Sequence, residues 1–264
     1  MKILFYDTET NSLDAERGFI MELAWAVYDV ESCRLLHCNS HILKWNMHYE
    51  VDPGALAATG LTREFCEANG VKASDVFMEF ITCANDSEIQ MICGHNAIDF
   101  DNRILKSNVK RALFSEHRIF EGRLLVDTMY DLPFLEKPDS MKLKYLAYDH
   151  GYSMTNAHQA MADVFACAHV FFCYKTRDVI PIAATDLVTI CGYTEFRDEV
   201  SREAFYKYGF RWNKNTRRQE KRCRSFYVKG IQLSLGDQRL FVNEQCITPE
   251  PEVVMTKDNE EIPF

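Results

Sequence analysis

Two carboxylates, Asp7 and Glu9, stand one residue apart at the end of the apolar run Ile3–Tyr6 in MKILFYDTETNSLD. Side chains on a strand alternate between faces, so both acids point to one side and Thr8 to the other. Like charges that close repel unless a cation lies between them, and a hard divalent ion such as magnesium prefers carboxylate oxygen. A strand that simply runs into a polar turn at Asn11 and Ser12 accounts for the pair equally well. Two more acid-bearing stretches follow. CGHNAIDFDNRIL carries Asp99 and Asp101 around the start of a helix, where acids also serve as favourable helix-terminal charges. TNAHQAMADVFACAHVFF places His158 before, and Asp163 inside, an apolar helix. A carboxylate there is costly unless a salt bridge or a metal balances it.

Those residues need a scaffold, and the apolar pattern supplies one. Phe19–Val30 reads as a long strand and Arg34–Leu43 as its partner, with Glu31 and Ser32 at the turn. With the opening strand this gives three consecutive strands. Asp52, Pro53 and Gly54 break the chain, and two short helical patterns run to Asn69. Ser74 is placed to cap a helix ending near Asp86. Ile89–Cys93 is a short buried strand, Asp99–Leu113 a helix, Leu124–Val126 a short strand ending at Asp127, and Lys142–His150 a helix stopped by Gly151. Gln159–Tyr174 is apolar nearly all round and should be buried. Three strands followed by alternating strands and helices predict an α/β domain with a mixed sheet. Pro181 marks the boundary, giving a first domain over 1–178. A smaller α+β module over 186–245 has strands at Asp186–Ile190, Phe210–Trp212, Ser225–Val228, Ile231–Leu235 and Leu240–Val242, and a helix at Ser201–Tyr208. Residues 246–264 are proline- and acid-rich and read as a mobile tail.

The chain has 264 residues and a net charge of −9, unevenly spread. From Arg202 to Lys229 ten Lys or Arg face two acids, +8; from Gly230 onward two face seven, −5; residues 1–201 therefore carry −12. The ten cysteines form no Cys-x-x-Cys pair. They read as free thiols acting as small hydrophobes, which places the chain in a reducing cytoplasm. No apolar run approaches the roughly 18 residues of a membrane helix, and the amino terminus is not expected to be a signal peptide.

Taken together, the acid motifs resemble the DEDDh family of 3′–5′ exonucleases, which includes the proofreading subunit of bacterial replicative polymerase and oligoribonuclease. FYDTET matches the first motif, HNAIDFD the second and HQAMAD the third, and LVDTMYDLP resembles the recurrent Asp-Thr after a strand. The resemblance covers residues 1–176. It implies a ribonuclease H-like fold, a five-stranded mixed sheet flanked by helices. It also implies two magnesium or manganese ions held by Asp7, Glu9, Asp101 and Asp163. In that scheme Asp7 bridges both ions, Glu9 and Asp163 complete the site of the attacking water, and Asp101 secures the second ion. His158 is the general base, and Asp99 the rival to Asp101. Thr10, Asn11 and Leu13 follow the metal pair and are expected at the terminal nucleotide, with Leu13 against its base or in the core. His95 and Asn96 assist the site or form a structural turn. In ATGLTREF, Thr59 occupies a place where the family often has histidine, which removes one expected nucleotide contact.

An acidic site repels nucleic acid, and the basic block can compensate by gripping phosphates. Its aromatics Phe205, Tyr206, Tyr208, Phe210, Trp212, Phe226 and Tyr227 alternate with cations such as Arg211. That mixture suits a base-stacking surface, and it also suits a hairpin with its own aromatic core. It resembles a small module with a Gly-Phe-Arg-Trp core appended to some bacterial and phage exonucleases. The leading expectation is a metal-dependent 3′–5′ exonuclease on single-stranded DNA with no membrane attachment. An oligoribonuclease-like activity, a polymerase-bound proofreading subunit and a non-catalytic nucleic-acid binder are the alternatives.

Overall fold

The structure, a computed structural model, describes residues 1–114, 119–134, 136, 138–155, 158–192, 199–236, 240–242 and 245–246, with 199–201 and 245–246 by backbone alone. The chain divides into two compact units, Met1–Asp186 and Leu187–Phe264.

The first unit is built on β1 (Lys2–Thr10), β2 (Ile20–Asp29) and β3 (Arg34–Lys44), the three consecutive strands of the sequence pattern. Two short helices, α1 (Pro53–Thr59) and α2 (Arg63–Asn69), lead to the two-residue strand β4 (Val71–Lys72) and α3 (Ala73–Ala84). Then come β5 (Ile89–Gly94), α4 (Asp101–Leu113), β6 (Leu124–Asp127), α5 (Leu143–Asp149), α6 (Ala160–Phe172) and α7 (Thr176–Ala183). The sheet order is β4-β3-β2-β1-β5-β6, so β4 adds a sixth strand to the five expected. β1 pairs antiparallel with β2 and parallel with β5.

Central position explains why β1 is an unbroken apolar run. Helices cover both faces, and a strand buried on both sides needs no polar alternation. Leu4 and Tyr6 pack in one core with Phe77 and Phe80 of α3 and Ile104 of α4. Ile3 and Phe5 pack in the other with Val164, Cys167 and Phe171 of α6. Ser74 lies inside α3 and donates to Asp75, while Lys72 holds the N-cap position without a side-chain cap. Pro181 lies within α7, whose Val179 and Ala183 are buried in the second core. The first unit therefore continues past residue 178.

The second unit comprises β7 (Leu187–Gly192), α8 (Glu199–Lys207), β8 (Arg211–Asn213), β9 (Arg218–Arg224), a 3₁₀ turn (Ser225–Tyr227), α9 (Val228–Leu235), β10 (Leu240–Val242) and β11 (Gln245–Cys246). Its sheet order is β11-β10-β7-β9-β8. Two expected strands, Ser225–Val228 and Ile231–Leu235, are instead the 3₁₀ turn and α9. Tyr227, Ile231 and Leu235 recur every fourth residue and are all buried, the spacing of one helix face. The sequence also hid a strand. β9, RQEKRCR, turns Gln219 and Cys223 inward and Arg222 outward, so its alternation carries no apolar signature. The core is aromatic: Phe205 and Phe210 meet edge to face at 4.9 Å. Gly192 lets Phe205 lie against the sheet, because a Cβ there would meet the ring at 2.2 Å. The expected tail lies outside the described residues beyond Cys246, which itself pairs in β11.

Candidate active site

The two faces of β1 meet two different helices at its carboxyl end. The odd face carries Asp7 and Glu9 towards α6, which brings Asp163 in its first turn. The even face carries Thr8, whose hydroxyl donates to the Asp101 carboxylate at the start of α4. Thr8 does point away from Asp7 and Glu9, yet it holds the third acid. A register shift between Glu9 and Thr10 ends the regular pairing with β2 beside the cluster. Bulges of this kind recur next to active sites because they re-aim side chains.

Glu9 and Asp101 are almost wholly buried, at 8% and 5% exposure. Burial, then the neighbouring carboxylates Asp101, Asp163 and Glu9, push the Asp7 carboxyl well above the usual range. Burial, then Asp163, Glu22 and Asp101, push Glu9 up to about 8. Asp163 rises to about 6 through burial, opposed by the His158 charge and by the His158 backbone N–H that it accepts. Asp101 also rises to about 6 through burial, opposed by the Thr8 hydrogen bond. Asp101 and Asp163 raise the pKa of both Asp7 and Glu9, so the cluster shares a deficit of positive charge. Ligand atoms of Glu9, His158 and Asp163 lie within 4.8 Å of one another. That donor set, hard oxygens with one imidazole, fits a divalent cation.

The flanking loops are locked by polar groups. Asp127, fully buried at the end of β6, accepts from the backbone of Asn96, Ile98 and Met129. Burial lifts its carboxyl to about 7 despite those bonds. This fixes the turn that delivers α4, with Asn96 at φ 62°. His95 is spent on the same brace: one ring nitrogen meets Thr128 Oγ1 and the other the Met141 carbonyl, each at 2.8 Å. Burial holds its pKa down to about 4. Both ring nitrogens of His95 and the backbone N–H of Asn96 are thus engaged in this turn. Asp99 accepts from the Tyr130 hydroxyl, which leaves Asp101 as the acid beside Asp7.

Other expected contacts separate into exposed and occupied groups. Leu13 is 89% exposed next to the cluster, so it is not a core residue. Thr10 donates to the Ser12 carbonyl. Asn11 donates to the Glu50 carbonyl and accepts from the Phe19 N–H, each at 2.6 Å, clamping the loop rather than offering its amide. Thr59 closes the end of α1, donating to the Ala55 carbonyl and accepting from the Leu61 N–H. His158 is exposed, in the left-handed region at φ 70°. Arg211 and Trp212 belong to the second unit. The Arg211 guanidinium lies 4.8 Å over the Tyr206 ring, and Trp212 is half-buried. Phe205, Tyr208, Phe210 and Tyr227 form that unit's core, while Tyr206 and Phe226 are 59% and 52% exposed. Most of the expected stacking set is therefore structural.

Sequence reasoning missed Glu22. It pairs across the strands with Glu9, accepts from Ser40 and reaches the Ala160 N–H at the first residue of α6. A lone acid in the middle of IMELAWAV was the available signal.

The RNase T family model, described as exonuclease, matches residues 4–171. Among solved structures, E. coli Exonuclease I in complex with a dT13 oligonucleotide has a TM-score of 0.60 at 20% identity, covering 73% of this chain and 48% of that one. The zinc-ion-bound form of an E. coli Exonuclease I complex with single-stranded DNA has a TM-score of 0.60 at 19% identity, covering 73% and 48%. Exonuclease I from Methylocaldum szegediense has a TM-score of 0.57 at 18% identity, covering 76% and 49%. At these identities the likeness is one of fold, and the chain spans about half the length of the structures it matches. No curated protein sequence matches the chain.

Proposed function

The chain belongs to the RNase T exonuclease family, and we propose that it is a metal-dependent 3′–5′ exonuclease releasing nucleoside monophosphates from single-stranded DNA. The observation that carries this reading is the convergence of Asp7, Glu9, Asp101 and Asp163 on one end of β1, with His158 beside Glu9 and Asp163. A pure binding protein gains nothing from clustered carboxylates next to its polyanionic ligand.

Two magnesium or manganese ions would activate water, neutralise charge at phosphorus and stabilise the departing 3′ oxygen. Asp7, central among the acids, spans the set; Glu9 and Asp163 lie on the His158 side and Asp101 on the α4 side. Thr8 keeps the Asp101 oxygen oriented, and Asp127 keeps the turn that delivers it. The His158 ring, beside Glu9 and Asp163, takes a proton from the attacking water as general base. Exposed Leu13 packs against the terminal base. In the second unit, exposed Lys207, Arg211, Lys214, Arg217, Arg222 and Lys229 supply phosphate contacts along a longer strand.

Free thiols at the nine cysteines whose side chains are described support a reducing cytoplasmic setting. No described helix is long and apolar enough to cross a membrane. The decisive experiment is a digestion panel of 3′- and 5′-labelled single-stranded DNA, duplex DNA and short RNA, with magnesium, manganese or EDTA. Stepwise loss from the 3′ end of single-stranded DNA, dependent on the ion, is expected. Robust cleavage in excess EDTA refutes the metal mechanism, and preference for short RNA transfers the assignment to an oligoribonuclease-like enzyme.

A further inference from the structure

A pocket of about 440 Å³ lies in the first unit between the end of β3, the start of α3 and the end of α4. Among the described residues its lining includes Lys44, Lys72 and Arg111 and no carboxylate. That is unusual in a stretch, residues 1–201, whose net charge is −12. Arg111 is committed, donating to the Gly18, Glu16 and Arg17 carbonyls and lying 4.2 Å over the Phe19 ring. Lys44 and Lys72 are directly paired positions on parallel strands, both exposed. Among the described residues neither side chain has a hydrogen-bond or acidic partner. Two lysines side by side and unpaired repel each other, an arrangement that an incoming anion stabilises. The rim is apolar: Met47 is 42% exposed and Phe114, in the left-handed region at φ 53°, is 86% exposed.

The strand register fixes where this pocket lies. Glu9 pairs with Glu22 and Glu22 with Ile42, so β3 reaches Lys44 at the same end of the sheet as the acids. Two strand spacings across and two residues along put Lys44 about 12 Å from Glu9, with Lys72 one strand further. α4 links the two places directly, starting at Asp101 and ending at the pocket thirteen residues later, a length of about 20 Å.

We propose that this pocket is a second nucleic-acid subsite, holding phosphates a few nucleotides upstream of the 3′ end on Lys44 and Lys72 and stacking a base on Phe114. Cations that follow the backbone and an exposed aromatic for the base are the two elements of single-strand binding. The inference rests on the exonuclease reading, and its test separates the two.

The full chain carrying Lys44→Ala and Lys72→Ala, and separately Phe114→Ala, is compared with wild type on a dinucleotide and on oligodeoxynucleotides of increasing length. Turnover of a 5′-hydroxyl dinucleotide should be unchanged, because its single phosphate is the one at the acids and none is left for Lys44 and Lys72. Binding of longer strands should weaken in both variants. In the double-lysine variant the slope of log affinity against log salt should shrink by about 1.4, two phosphates at roughly 0.7 each. Between 50 and 200 mM salt the wild type should thus lose about sevenfold more affinity than the variant. Lys72→Glu should exceed the alanine effect. An unchanged salt slope and unchanged long-strand affinity overturn the subsite while leaving the exonuclease reading intact. Absence of 3′ digestion by the wild type refutes the exonuclease reading itself. Equal losses on the dinucleotide and on long strands also overturn the subsite, since they place the lysines in the catalytic centre.

Discussion

The four crowded carboxylates predict a protein whose metal-free stability falls as pH rises, and Asp7→Asn tests it. Glu9 holds its proton up to about pH 8 in the folded chain, against an ordinary value of 4.5. Between those two values the folded state binds more protons than the unfolded one, so unfolding free energy declines with increasing pH. For Glu9 alone the difference corresponds to roughly 5 kcal/mol. The acids are causes of one another's shifts, so their contributions do not add, and a total of several kcal/mol is expected. For a unit of this size that is on the order of 10 °C in melting midpoint. Melting in EDTA should therefore show the midpoint dropping from pH 5 to pH 8. Magnesium should recover it at pH 8, by about 2.7 kcal/mol at a hundred times its dissociation constant, and do little at pH 5. Asp7→Asn removes one member of the cluster at constant shape. In EDTA at pH 8 it should melt above wild type, respond weakly to magnesium and lose hydrolysis. A wild-type midpoint that is flat or rising across this range, or an Asp7→Asn protein less stable than wild type in EDTA at pH 8, would refute the electrostatic account.

His158→Ala should lower turnover by about 10²–10⁴-fold, the usual worth of a general base, and abolish the histidine inflection in a single-turnover pH–rate profile; persistence of that inflection excludes His158 as the base. Truncation after Asp186, where the first unit ends, should weaken binding of long single strands and flatten its salt dependence while short substrates are still cleaved, which filter binding across a salt series would measure. Gly192→Ala forces a Cβ onto the Phe205 ring and should destabilise the second unit by about 1–3 kcal/mol, seen as increased proteolysis of that unit with turnover of short substrates retained. Leu13→Ala, at an exposed position, should leave stability within about 0.5 kcal/mol and raise KM; an unchanged KM removes Leu13 from the substrate contacts.

The three acid motifs were legible because each depends on local spacing. Asp7 and Glu9 share a strand face, and Asp163 interrupts an otherwise apolar helix. The order of strands and helices in the first unit followed from apolar periodicity, since a sheet covered on both faces needs long apolar runs. The second unit read less well. β9 alternates Gln219, Lys221 and Cys223 with charged residues, leaving no hydrophobic period to find. Tyr227, Ile231 and Leu235 fit a helix as well as short strands until their common burial is known. Asp101 was preferred to Asp99 on the motif alone; what the motif could not show is that Thr8 and Tyr130, each from elsewhere in the chain, bind one of the two acids apiece. His95, Asn11 and Glu22 show the same limit. Sequence gives their donors and acceptors, but only the folded chain assigns partners, because a hydrogen bond a few ångströms long joins residues many positions apart.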